Sequence, residues 1–205
     1  DIWARVTAVV VPVAVYFLLL GLLNSRRLPQ LLTGRRDFAL LVVALGPLFV
    51  LPALAALGPS LGSAALVVAA MATAVLLLAP GRGSWVVYNV PSAQGREAVA
   101  RALGRLGLPA EPFAGGFRLG ENGPVVQISD FPLLRNVTVR LRGGGPELAR
   151  RFESALGGVL AEVHAETSPM AVSLLLVATA MLVTPLGMVA HRAGEIVRLL
   201  TGLLP

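Results

Sequence analysis

The chain has no cysteine and no lysine, and only two histidines among its 205 residues. The absence of cysteine excludes disulfides, thiolate catalysis, iron–sulfur clusters and cysteine-ligated zinc. Because lysine is absent, arginine supplies all 17 basic side chains. Arginine binds phosphates and carboxylates through a planar fork, but its exclusive use is also what codon bias in a GC-rich bacterial genome produces.

Charge is scarce as well, since only 14% of the residues are charged and 56% are hydrophobic. The apolar residues are gathered into four blocks, at about residues 6–23, 38–57, 62–80 and 170–190. As helices these blocks reach about 25–30 Å, close to the thickness of the hydrocarbon layer of a membrane. The pattern predicts an α-helical polytopic membrane protein with about four transmembrane helices.

The four blocks contain no aspartate, glutamate, arginine or histidine. Proton relays, ion-coupled transporters and intramembrane proteases need ionisable groups at membrane depth, so these three classes are disfavoured. Small residues are frequent instead, for example the alanines of the third block, and they favour close approach of helices.

Arginine placement predicts the orientation in the membrane. The connection Asn24–Asp37 holds four arginines, the connection Gly58–Ser63 holds no charge, and the polar segment Gly81–Thr167 holds ten arginines. Basic connections stay on the cytoplasmic side. We therefore expect a bacterial inner membrane protein with both basic segments in the cytoplasm, both termini in the periplasm, and Trp3 and Trp85 as anchors at the interface.

The polar segment, residues 81–167, predicts a small soluble α+β domain inserted between the membrane segments 1–80 and 168–205. Its expected order is β-α-β-β-β-α, an antiparallel sheet with two helices on one face. The last membrane segment adds an amphipathic tail after its helix. The expected strands are Trp85–Val90, Gly116–Leu119, Val125–Ser129 and Val137–Arg142, and the expected helices are Ser92–Leu106 and a second that begins at Gly145.

Two glycine-rich stretches resemble phosphate loops only superficially. The stretch Gly81–Ser84 precedes a strand and follows an apolar block, the reverse of a phosphate-binding loop, so a membrane exit with Arg82 near lipid phosphates is favoured. The stretch Gly143–Gly145 has the strand-to-helix order of an anion site. However, Pro146 removes one N–H donor and Glu147 repels an anion, which favours a plain helix start.

The strand Asn136–Arg142 alternates apolar and polar side chains. Thr138, Arg140 and Arg142 share one face, which is either a solvated sheet face or a basic surface for lipid headgroups or an acidic partner. This strand lacks the aromatic side chains of RNA-binding sheets, and nucleic acid is not expected as a partner.

The two histidines, His164 and His191, lie far apart in the sequence and form no zinc motif. His191 directly follows the fourth block, and a magnesium-bound pigment is the one cofactor for which it is a weak candidate. No G-x-S-x-G motif or histidine–aspartate relay is present. The sequence thus predicts no enzymatic activity, no metal and no cofactor.

We expect a non-catalytic accessory or scaffold subunit that stabilises a larger bacterial membrane complex, respiratory or photosynthetic. Its partners are then other integral membrane subunits and anionic lipids. One alternative is a membrane-anchored sensor or enzyme that binds an anionic ligand at Arg140, Arg142 and Gly143–Gly145. Another is a lipid-handling protein that uses the first basic connection. The predicted lipid or anion contacts are Arg26, Arg27, Arg35, Arg36, Arg82, Arg140 and Arg142.

Overall fold

The computed structural model describes residues 2–58 and 60–191. Four of its helices are long and apolar enough to cross a membrane. They are α1 (Ile2–Ser25), α2 (Gly34–Leu57), α3 (Leu61–Leu78) and α6 (Pro169–His191). The sequence prediction of four long apolar helices is confirmed.

Helices α1 and α6 lie side by side, and small residues form their contact. Ala14, Ala171 and Ala178 are fully buried. Gly21 leaves no room for a side chain, since a Cβ atom there would lie 2.8 Å from the Leu175 side chain and 3.2 Å from the carbonyl oxygen of Ala171. Helices that meet inside a membrane approach closely through such residues.

A six-stranded antiparallel sheet accompanies these helices, with strand order β1-β2-β6-β5-β4-β3. Two further helices, α4 (Ser92–Arg105) and α5 (Gly145–Leu160), pack on one of its faces. The strands are β1 (Gln30–Thr33), β2 (Ser84–Tyr88), β3 (Ala110–Phe113), β4 (Gly116–Leu119), β5 (Val125–Phe131) and β6 (Asn136–Arg142).

Two of these strands differ from the expected order β-α-β-β-β-α. Strand β3 pairs with β4 at the sheet edge, where Pro112 is tolerated because one side of an edge strand makes no ladder hydrogen bonds. Strand β1 comes from the first basic connection and pairs with β2, placing Leu31 opposite Val87. Strand β1 has only four residues and follows a proline. An alternation of apolar and polar residues over so short a stretch does not predict a strand.

The core lies between the sheet and helices α4 and α5. Trp85 is fully buried there, with its ring centroid 5.4 Å from that of Phe152. The prediction that Trp85 anchors the chain at a membrane interface is therefore wrong: the strand turns this side chain toward α5. For Trp3, the other predicted anchor, the side chain lies outside the described part of the structure, as does the tail from residue 192 onward.

The opposite face of the sheet packs on the long helices. Val86 and Tyr88 of β2 form a buried cluster with Leu20 of α1, and Leu174 of α6 packs against it. Farther along the sheet, the ends of α2 and α3 lie under β2 and β6. One face of the sheet thus holds its own helices, while the other rests on the helices long enough to span a membrane.

Candidate functional site

A cavity of about 530 Å³ lies where the sheet meets the ends of α2 and α3. Its floor is apolar and comes from the helices, whereas its polar groups come from the first turn of α2 and from strands β2 and β6. The residues that line it are Gly34, Asp37, Phe38, Leu41, Leu78, Pro80, Gly81, Gly83, Ser84, Val86, Thr138, Arg140, Leu141 and Arg142.

Strand β6 places both of its arginines at this cavity. Val137 and Val139 point into the core, so the alternation of the strand turns Thr138, Arg140 and Arg142 to the other face. Among residues 2–58 and 60–191, neither arginine has a carboxylate within 4.0 Å. The salt bridges of that part of the chain are Arg101–Glu97, Arg105–Glu162 and Arg150–Glu147.

Two glycines allow the walls of the cavity to meet. A Cβ atom at Gly83 would lie 2.7 Å from the carbonyl oxygen of Leu141, whose N–H donates to the Gly83 carbonyl at 2.7 Å. Gly34 is equally close to Ser84, since a Cβ atom there would lie 2.8 Å from the Ser84 Oγ. The stretch that resembled a phosphate loop therefore joins β2 to β6 and to α2.

Among the described residues, Asp37 is the one carboxylate that lines the cavity. It lies in the first turn of α2, where the helix dipole stabilises a negative charge. Its Oδ1 accepts a hydrogen bond from the Tyr88 hydroxyl. Burial, strengthened by this hydrogen bond, raises the pKa of Tyr88 well above its usual range, so Tyr88 stays a donor. With two guanidinium groups and one carboxylate, the lining of the cavity has a net charge of +1.

A second cavity, an apolar groove of about 740 Å³, runs between α2 and α3. It shares Phe38, Leu41 and Leu78 with the polar cavity, so the two lie side by side. The residues that line the groove are Phe38, Leu41, Val42, Leu45, Gly46, Phe49, Ala53, Leu57, Leu66, Val67, Ala70, Met71, Ala74, Val75 and Leu78, all of them apolar.

No family model, curated protein or solved structure matches this chain. A function is therefore inferred from the geometry of the junction between sheet and helices.

The other predicted contact arginines lie outside the cavity. Arg26 donates to the Gln30 side chain at 3.2 Å, in the turn between α1 and β1, and Arg27 next to it is exposed. Arg35 and Arg36 are exposed in the first turn of α2, and Arg82 is exposed just before β2. The structure thus brings Arg140 and Arg142 together with Asp37, and leaves the other five around this junction.

The stretch Gly143–Gly145 does not belong to the cavity. All three glycines have positive φ angles, 81°, 83° and 69°, and they lead into α5 on the core face of the sheet. Arg140 and Arg142 line the cavity on the opposite face. The cavity therefore includes these two arginines and does not include the glycine stretch.

Neither histidine contributes to the cavity. His164 follows α5, and His191 is exposed at the end of α6. Within the described residues, no group of three or more histidine, aspartate and glutamate side chains is placed to hold a metal.

The residues that α2 and α3 contribute to the cavity were not predicted from the sequence. They are Asp37, Phe38, Leu41 and Leu78. A signal for Asp37 was present, since it is the sole acidic residue between residues 2 and 96 and precedes an apolar block directly. Nothing in the sequence indicated that β6 lies over the ends of α2 and α3.

Proposed function

We propose that the protein is a multi-pass protein of the bacterial inner membrane that binds a phosphate- or carboxylate-bearing ligand at the cavity and catalyses no reaction. The observation that carries this function is the pair Arg140 and Arg142, which share one cavity wall and have no carboxylate partner in the described residues. Two guanidinium groups at adjacent positions of one strand face suit an anion with several acceptor oxygens.

The distribution of charge supports the orientation in this proposal. The first basic connection and the sheet lie together at one end of the long helices, because β1 pairs with β2. Basic segments remain in the cytoplasm during insertion, so the sheet and its helices are assigned to the cytoplasm and both termini to the periplasm. An anionic inner leaflet then faces the cavity.

Thermal unfolding with a soluble headgroup analogue tests anion binding. Glycerol 3-phosphate should raise the unfolding midpoint of the detergent-solubilised full chain, because a ligand that binds only the folded state stabilises it. The double variant Arg140→Gln/Arg142→Gln should lose this rise.

The matched control is Arg101→Gln/Arg151→Gln, which removes the same charge from exposed positions of α4 and α5. It should respond as the wild type does. An equal rise in all three proteins, or no rise in any of them, contradicts the proposed site.

A second candidate function is the accessory subunit of a larger respiratory or photosynthetic complex, with integral membrane subunits as partners. The observation that favours it is the bare surface of α3, where Leu61 is 92% exposed and Leu76 and Leu77 are each 79% exposed. Extraction in mild detergent followed by native gel electrophoresis and mass spectrometry tests it. Co-migration with a large complex at fixed stoichiometry supports this role, and a chain that runs alone contradicts it.

A further inference from the structure

We infer, building on the proposed function, that the ligand is a phosphate-bearing membrane lipid whose phosphate lies between Arg140 and Arg142 and whose hydrocarbon chain lies in the groove between α2 and α3. The first reason is adjacency. Phe38, Leu41 and Leu78 line both the cavity and the groove, so the two adjoin at these residues.

The second reason is the division of chemistry between these two adjoining spaces. Among the described residues, every charged side chain that lines them lies at the sheet end, and every residue along the groove is apolar. A free phosphate ion uses only the sheet end. A lipid uses both, because its headgroup is anionic and its chain is apolar.

The third reason is length. The groove extends along α2 from Phe38 to Leu57, which at 1.5 Å per residue is about 28 Å. One leaflet occupies about half of a 30 Å hydrocarbon layer. The groove therefore has room for the full length of a lipid chain below the headgroup.

The fourth reason is an open position at Gly46. Glycine in membrane helices commonly permits close helix contact, as Gly21 does between α1 and α6. Gly46 does not, since a Cβ atom there would meet nothing within 4 Å, although it lines the groove. The missing side chain keeps space free between α2 and α3.

The charge of the cavity also fits this ligand class. A net charge of +1 from two arginines and Asp37 is balanced by the single negative charge of a phosphodiester such as phosphatidylglycerol. Phosphatidylcholine with the same chains fills the groove equally well but has no net charge. Selection between these two lipids is therefore the signature of the combined site.

Native mass spectrometry of the full chain tests the inference. The protein is equilibrated in micelles with equal amounts of phosphatidylglycerol and phosphatidylcholine of identical chains, and the retained lipid is counted. The wild type should retain phosphatidylglycerol in about tenfold preference, because both lipids present a phosphate but the positively charged cavity disfavours the trimethylammonium group of phosphatidylcholine. Arg140→Gln/Arg142→Gln should lose the preference.

The groove is tested separately with Gly46→Leu, which fills the open position. This variant should retain several-fold less lipid of both kinds, yet glycerol 3-phosphate should still raise its unfolding midpoint. Gly187→Leu on α6 is the matched control, because a Cβ atom there also meets nothing within 4 Å and the position lies outside the groove. It should retain lipid as the wild type does.

The outcomes distinguish lipid binding in the groove from anion binding at the cavity. If Gly46→Leu retains lipid as Gly187→Leu does, the chain does not occupy the groove, and the inference fails while anion binding stands. If the wild type shows no preference for phosphatidylglycerol but glycerol 3-phosphate still stabilises it, the ligand is a soluble anion. If neither ligand binds, both the proposed function and the inference are wrong.

Discussion

At the scale of single residues, the cavity combines two arginines with one acid, and the acid opposes the anion that the arginines attract. Asp37 remains there because its carboxylate serves the fold. It accepts a hydrogen bond from the Tyr88 hydroxyl and lies at the positive end of the α2 dipole. The structural and the electrostatic roles of Asp37 can be separated, since an asparagine keeps the acceptor oxygen and removes the charge.

Asp37→Asn should tighten the binding of phosphatidylglycerol by roughly two- to fivefold, the range expected for one partly exposed charge. The change raises the net charge of the cavity lining from +1 to +2. Titration of the lipid into detergent-solubilised protein, followed by thermal unfolding, measures the effect. Weaker binding with an unchanged unfolding midpoint contradicts the assignment of the anion to this cavity.

The sequence predicted the two arginines of the site but not the residues that α2 and α3 supply, and the reason is physical. The alternation along Asn136–Arg142 showed that Arg140 and Arg142 share a face. What lies opposite that face depends on the pairing of β1 with β2, a contact between segments more than 50 residues apart. Local patterns carry no information about such pairing, and the burial of Trp85 was missed for the same reason.

At the scale of helices and strands, the long helices divide into two pairs of different character. The α1–α6 pair is closely packed through Gly21 and buried alanines, whereas α2 and α3 leave a groove between them. The sequence did predict helices that approach through small residues. It placed the close contacts at the alanines of α3, yet Ala65, Ala69 and Ala72 are exposed in the structure.

Gly21→Val should lower the free energy of unfolding by about 1–3 kcal/mol, because the added side chain overpacks the α1–α6 contact. Its Cβ atom would lie 2.8 Å from Leu175 and 3.2 Å from the backbone of Ala171. Gly187→Val is the control for the helix propensity of valine, since its surroundings are open. Reversible unfolding in mixed detergent micelles gives both values, and equal losses would show that Gly21 is not a close-contact position.

At the scale of the whole molecule, the first basic connection is part of the sheet and not merely a link between two helices. Strand β1 covers the edge of β2, and Leu31 packs against the core. An uncovered edge offers unpaired backbone groups to other chains. The sheet is therefore completed by a segment that α2 and α3 separate from β2 in the sequence.

The isolated segment 81–167 should aggregate or unfold at a lower temperature than the same segment with residues 29–34 joined to it by a flexible linker. The added strand restores the pairing of Gln30–Thr33 with β2. Size-exclusion chromatography and thermal unfolding compare the two proteins, with a version that carries Leu31→Asp as control. If all three behave alike, β1 contributes nothing to the sheet.

The most direct test of the central claim, an anionic lipid held between the sheet and helices α2 and α3, is photo-crosslinking. A phosphatidylglycerol analogue with a diazirine in its acyl chain is incorporated into bilayers with the full chain, and the adducts are mapped by peptide sequencing. We predict adducts concentrated on groove residues such as Phe49, Met71 and Val75, and their loss in Arg140→Gln/Arg142→Gln. Adducts spread evenly over the exposed faces of all four long helices, and unchanged in that variant, would contradict the claim.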